Sequence, residues 1–230
     1  MNRNELGKSL NLSVELIAKG RPNRSGRPIL PTYITIHNTS NDGPGADAAA
    51  HSRFVRNKGY YEWNGKKRFV SWHYSVDDKQ IIKHLPINEH AIHAGLGNGQ
   101  SIAIEICMHK GIDQSSANSR AARLVAALMN DLGIARDKIV PHKHWTNKTC
   151  PVLLLPSFGT FIEDAESVLA SLTASPTESL ARDGVVSVEE FAILDQTQDA
   201  PVEAAPEDDP EDAHKQIANA LAEFLATEGD

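Results

Sequence analysis

Four features place polar or metal-binding groups where an ordinary core would not need them. His37 ends the β-branched and aromatic run Tyr33-Ile34-Thr35-Ile36-His37, and His73 interrupts Trp72-His73-Tyr74. Glu105 lies inside Ile104-Glu105-Ile106, and the loop from Pro141 to Pro151 carries His142, Lys143, His144, Lys148 and Cys150. Each has a plain structural reading. A strand histidine is commonly a hydrogen-bonded core group, and a local His/Cys cluster is commonly a structural zinc site with four protein ligands. Glu105 is harder to explain that way, because an ionised carboxylate in an apolar strand is costly unless paired. No Cys-x-x-Cys or second local pair completes a four-ligand site around the loop. A catalytic zinc needs only three protein ligands and an open corner, and His37, His142 and Cys150 supply them if the first strand lies beside the loop. Two neutral imidazoles and one thiolate leave such a centre net positive, able to polarise a carbonyl and to bring the pKa of water towards about 7. Glu105 on a neighbouring strand is then the natural proton-transfer group. Lys148, two residues before Cys150 and on the same side of an extended loop, would face a developing oxyanion. The parts fit together as a hydrolase.

These residues need a scaffold, and the hydrophobic pattern outlines one. Tyr33 to His37 reads as a strand, with Val70–Val76, Gln80–Leu85 and Ser101–Cys107 as three more. In the last, Ile102, Ile104 and Ile106 share one face, while Ala103, Glu105 and Cys107 share the other. Ala46 to Asn57, the stretch around Ala121 to Leu132, and Phe158 to Leu172 carry helical spacing, with Gly133 at a C-terminal cap position. Tyr60 to Phe69, with Asn64-Gly65 at its centre, reads as an exposed hairpin or ordered loop. Residues 1–31, rich in turn formers between Gly20 and Pro28, read as a leader. The pattern predicts an α/β fold with a single central mixed β-sheet flanked by helices.

Composition sets the outer limits. The 230 residues are 40% hydrophobic and 23% charged, near the globular average. No apolar run reaches the roughly 20 residues of a membrane helix, and no secretory signal is visible, so synthesis in the cytoplasm is expected. Two cysteines, Cys107 and Cys150, make no disulfide scaffold. Residues 175–230 hold 15 Asp/Glu against 2 Lys/Arg, a net −13, whereas residues 1–174 carry +6. That excess is too small for a nucleic-acid signature. A body of residues 1–174 and an acidic tail of 175–230 follow, with a linker at 200–212 and short helices starting near Ser187 and Pro210. Whether those helices pack on the body, on each other or on a partner stays open.

Taken in order, Ile36-His37-Asn38-Thr39, Trp72-His73-Tyr74-Ser75-Val76-Asp77-Asp78, His93-Ala94-Gly95, Ser101 to Cys107, and Pro141-His142 through Cys150-Pro151 resemble the zinc N-acetylmuramoyl-L-alanine amidases, especially those of Bacillus phages and prophages. The resemblance covers roughly residues 28–160 and implies the amidase/peptidoglycan-recognition fold. It implies zinc as cofactor, with His37, His142 and Cys150 as ligands and the family's eight-residue step from His142 to Cys150 kept. It implies Glu105 as the group assisting the attacking water, Lys148 as the cation at the scissile carbonyl, and His73 and His93 as residues of the substrate groove. His144 is expected outside the ligand set, and Cys107 is expected to be a small buried residue. The implied substrate is bacterial peptidoglycan, cut between N-acetylmuramic acid and L-alanine by a monomer with no nucleic-acid partner and no membrane insertion. A phage or prophage endolysin, released to the wall after synthesis, fits this picture. The rivals are a non-catalytic peptidoglycan-recognition module and a protein in which zinc only staples the fold. Two departures stand out: Gly59 to Phe69 is longer than the matching connection in related amidases, and an acidic tail stands where wall-binding repeats would follow.

Overall fold

Two interior six-residue strands of the sheet are buried on both faces because both faces are covered. They are β2 (Tyr33–Asn38) and β7 (Ser101–Ile106), paired in parallel. In the computed structural model, which describes residues 1–172 and 213–227, they anchor a six-stranded sheet. The remaining strands are β1 (Leu12–Val14), β5 (Tyr74–Val76), β6 (Ile81–Lys83) and β8 (Ile139–Pro141), in the order β1-β6-β5-β7-β2-β8. All neighbours run parallel except β5 and β6, so the sheet is mixed, as the sequence predicts.

Alternation along β7 sorts the two faces. Ile102, Ile104 and Ile106 join Ile34, Ile36, Tyr74 and Val76 in the main core, closed by α1 (Arg3–Leu10), α3 (Gln114–Leu132) and α4 (Phe158–Ser171). The opposite face carries Ala103 and packs beneath α2 (Ala48–Asn57), whose Phe54 and Val55 meet Trp72 and Leu85. The helix ends are specified locally. The Asp47 and Asp113 side chains accept from Ala50 N–H at 2.8 Å and Ser116 N–H at 3.0 Å. Gly133 ends α3 in the left-handed region. Strands β3 (Tyr60–Trp63) and β4 (Lys66–Phe69) form the expected hairpin; its two-residue turn has φ of 50° at Asn64 and 71° at Gly65, the signs a type I′ turn requires.

Three expectations change. The leader contains α1, opened by an Asn2/Glu5 capping box, and the edge strand β1; with two buried leucines in the helix and three residues in the strand, neither is long enough to show periodicity. Strand β8 lies just before the histidine-rich loop and was not marked by an alternating run. Of Val70–Val76 only the last three residues are strand, because Ser71 N–H turns away to Ile92 O.

The tail's last helix, α5 (Ala213–Thr227), lies on the body rather than apart from it. Ala220 and Leu221 are buried, and Ile217, Phe224 and Leu225 pack beside them on Phe54, Tyr61 and Trp63. The Phe54 and Phe224 rings lie 6.1 Å apart, and Lys58 Nζ donates to Ala220 O at 3.3 Å. The expected linker at 200–212, the helix near Ser187 and the start at Pro210 lie outside the described residues.

Candidate metal centre and catalytic cleft

Parallel registry brings the first pair together. His37 stands directly opposite Glu105, so their side chains leave the sheet on the same face, and His37 Nδ1 lies 3.8 Å from Glu105 Oε1. On the other side of β2, the pairing of Ile36 with Pro141 delivers the chain leaving β8 beside His37. There a single 3₁₀ turn, His142–His144, presents His142, with its ring centroid 4.6 Å from that of His37. Lys143 N–H bonds Cys150 O at 3.0 Å and folds the loop back, which brings Cys150 Sγ to 3.9 Å from His37 Nδ1. His37, His142 and Cys150 are all buried, and one ligand atom of each lies within 4.8 Å of the others.

The loop is held by residues that the sequence did not single out. Trp145 Nε1–H donates to Thr35 Oγ1 at 2.8 Å, and the Thr35 hydroxyl donates to Ser101 Oγ at 2.8 Å. Gly97 lets the indole approach, since a Cβ there would stand 2.8 Å from it. Asn38, next to His37, accepts from Leu153 N–H through Oδ1 at 3.0 Å and donates to Ile106 O through Nδ2 at 3.3 Å. Its only sequence signal was a polar residue at the end of an apolar strand; its partner lies 115 residues away.

The donor set suits zinc. Two imidazole nitrogens and one thiol sulfur are its preferred ligands, and bonds of about 2.0–2.3 Å in a tetrahedron place donor atoms roughly 3.5 Å apart, a short closure from the spacing observed. His93 adds an orienting contact: its Nδ1 lies 3.0 Å from His37 Nε2, the ring nitrogen turned away from Cys150 and Glu105. A metal-binding histidine is commonly fixed through its far nitrogen in this way. Asn98 Oδ1 accepts the N–H groups of both His93 and Ala94, which fixes that loop.

His73 departs from expectation. Its ring is wholly buried, with Nδ1 accepting from Ala103 N–H at 3.0 Å and Nε2 3.0 Å from Glu89 O. Placed to tie β7 to the Glu89 segment, it offers no surface to a substrate, so the groove position expected for it is corrected to a structural one. Lys148 and Cys150 border a cavity of about 710 Å³, together with Asp42, Asn147 and, from α5, Lys215 and Asn219. His144 is exposed, stacked edge-on against Trp145 at 4.7 Å, and does not join the ligand group. Cys107 is the small buried residue expected of it; desolvation pushes its thiol well up, and its Sγ lies 3.8 Å from His51 Nδ1.

The N-acetylmuramoyl-L-alanine amidase family model matches residues 25–152, a span that contains every residue of the proposed centre. The chain belongs to the N-acetylmuramoyl-L-alanine amidase family. It is 42% identical over 156 residues to the amidase XlyA of Bacillus subtilis (strain 168), covering 66% of this chain and 50% of XlyA. It is 39% identical over 163 residues to the amidase CwlH of the same organism, covering 69% of this chain and 62% of CwlH. The chain therefore spans about half to three-fifths of the length of these relatives. A mutant endolysin from Bacillus subtilis superposes with a TM-score of 0.63 at 41% identity, over 68% of this chain and 99% of that one. The family match stops before α4 and α5, so the helix that borders the cavity lies beyond the matched amidase segment.

Proposed function

We propose that this protein is a zinc-dependent peptidoglycan hydrolase that cuts the amide between N-acetylmuramic acid and the L-alanine of the stem peptide. The observation that carries the proposal is the convergence of His37, His142 and Cys150 within 4.8 Å, with Glu105 facing His37 across the β2–β7 register. Family membership supports the bond chosen. We further propose that it serves as a phage or prophage endolysin, made in the host cytoplasm and acting as a monomer on the wall after release, with residues 1–174 as the catalytic domain. No helix among the described residues is long and apolar enough to cross a membrane.

His37, His142 and Cys150 would hold the zinc, which when bound supplies Lewis acidity towards a carbonyl oxygen and makes water a better nucleophile near neutral pH. His93 fixes the His37 ring through Nε2, so that Nδ1 is the atom presented. Glu105, 5% exposed, accepts a proton from the attacking water at its carboxylate and returns it to the departing amine. Lys148, at the cavity edge beside Cys150, places positive charge where the carbonyl oxygen becomes an oxyanion. Water is consumed, and the products are a lactyl carboxylate on the glycan and a new L-alanine amino terminus on the peptide.

The test is digestion of purified sacculi with and without chelator, followed by mass spectrometry of the products. Free L-alanine amino termini that vanish with chelator and return with Zn²⁺ are expected. Binding to sacculi without cleavage would favour the peptidoglycan-recognition reading, and neither binding nor cleavage would leave a structural zinc.

A further inference from the structure

The helix α5 has two faces with different tasks. Ala213, Ile217, Ala220, Leu221 and Phe224 seat it on α2 and the hairpin. Lys215, Ala218, Asn219 and Ala222 follow at the same helical spacing on another face, and all four line the cavity whose far wall holds Lys148 and Cys150. The tail therefore contributes directly to the space next to the proposed reaction centre. At about 710 Å³, that space falls within the roughly 300–1,000 Å³ typical of ligand pockets. Ala218 and Ala222 keep it open, so the helix walls the cleft without filling it.

Charge gives the wall a chemical preference. The acidic tail has only two Lys/Arg among residues 175–230, Arg182 and Lys215, and Lys215 is the one on this helix. The other charged residue of α5, Glu223, pairs with Lys58 at 3.6 Å and does not line the cavity. The cavity is lined by two cations, Lys148 and Lys215, and one carboxylate, Asp42. An ammonium and a side-chain amide, one helical turn apart, suit a carboxylate. In peptidoglycan, free carboxylates belong to the stem peptide, because the lactyl carboxyl of the glycan is consumed in the scissile amide. We infer that Lys215 and Asn219 are substrate-binding residues that grip a stem-peptide carboxylate while the amide lies at Glu105 and Lys148. This inference rests on the amidase reading and adds to it an element outside the matched family segment.

The experiment uses the full chain and soluble muramoyl peptides, with stem carboxylates either free or amidated. On the free-acid substrate, Lys215→Ala should raise KM about five- to tenfold and leave kcat within about twofold, with Asn219→Ala raising KM by about threefold. Lys215→Arg should restore most of the affinity, and the amidated substrate should erase the difference between wild type and Lys215→Ala. Leu221→Asp, which unseats the helix while sparing both polar residues, should reproduce the KM defect. Unchanged KM in Lys215→Ala, or faster turnover in Lys215→Ala and Leu221→Asp, would overturn the inference; the latter outcome would make the helix an obstruction. Calorimetric binding of the free-acid peptide to Glu105→Gln, with and without Lys215→Ala, reads the same contact without turnover. Equal affinities there would refute the carboxylate grip, whereas failure of wild type to cleave, with the affinity difference intact, would refute the amidase reading alone.

Discussion

Replacing Glu105 by Gln separates proton transfer from metal binding and from folding. The amide has nearly the volume of the carboxylate, so in a site 5% exposed it opens no cavity. What disappears is the proposed proton acceptor. Its neighbours on the same face of β7, Ala103 and Cys107, cannot replace it: one has no polar atom, and the thiol of the other is pushed up by burial. General acid–base groups contribute about 10²–10⁴-fold, or roughly 3–5 kcal/mol of barrier. With bulk water largely excluded and no substitute on the strand, the loss should lie in the upper half, at about 10³-fold or more in kcat. Zinc content should stay near one per chain, since Glu105 is not among the three grouped ligands. The assay pairs release of L-alanine amino termini from sacculi with metal analysis of the same preparation. Activity within tenfold of wild type at full zinc occupancy would refute the proton-transfer role. Loss of zinc in parallel with activity would make Glu105 a metal-site residue instead.

Three further outcomes follow from the geometry. Chelation should lower Tm as well as abolish activity, because zinc held by the three proposed ligands would join β2 to a loop more than 100 residues downstream; free Zn²⁺ at a thousand times Kd contributes about 4 kcal/mol, roughly 8–16 °C for a protein of this size, and an unchanged Tm would argue against a site formed from these three residues. Asp131→Ala should cost about 3–5 kcal/mol in urea unfolding, because it removes the buried carboxylate that holds the Arg3 Nε and guanidinium NH2 at 3.1 and 2.6 Å in the seam between α1 and α3; a loss under 1 kcal/mol would show that this pair contributes little. Acid should destabilise the chelated protein: burial pushes His84 from 6.5 down to about 3 and lowers His51 in the same direction. The unfolded chain then binds protons the folded chain refuses. For His84, stability is complete above about pH 6.5 and falls as pH drops towards 3, by up to about 1.4 kcal/mol per unit, and His51 acts in the same direction. His84→Gln should flatten that slope, and equal slopes in the two proteins would refute the assignment.

The residues of the candidate centre were legible before any fold was known because each violates a local rule. A carboxylate in an apolar strand, an imidazole ending another and a thiol in a lysine- and histidine-rich loop are costly unless something uses them. The alternation in Ser101–Ile106 also fixed which face Glu105 would take, since a side-chain period of two leaves only two choices. His73 shows the limit of that logic. Its sequence context matches that of His37, yet backbone groups from two segments occupy its ring nitrogens, and no local pattern reports a partner that arrives from elsewhere.

The sequence by itself determined the chemical types, the strand faces and the main helices, because these depend on neighbours within a few positions. Tertiary structure alone decided the parallel registry that sets His37 against Glu105, the Asn38 and Trp145 contacts that shape the ligand loop, and the ring nitrogen that His93 occupies. It also decided that α5 lies on the hairpin and borders the cleft. An amphipathic helix carries the information that it needs an apolar surface, but which surface is available is set by the folding of the other two hundred residues.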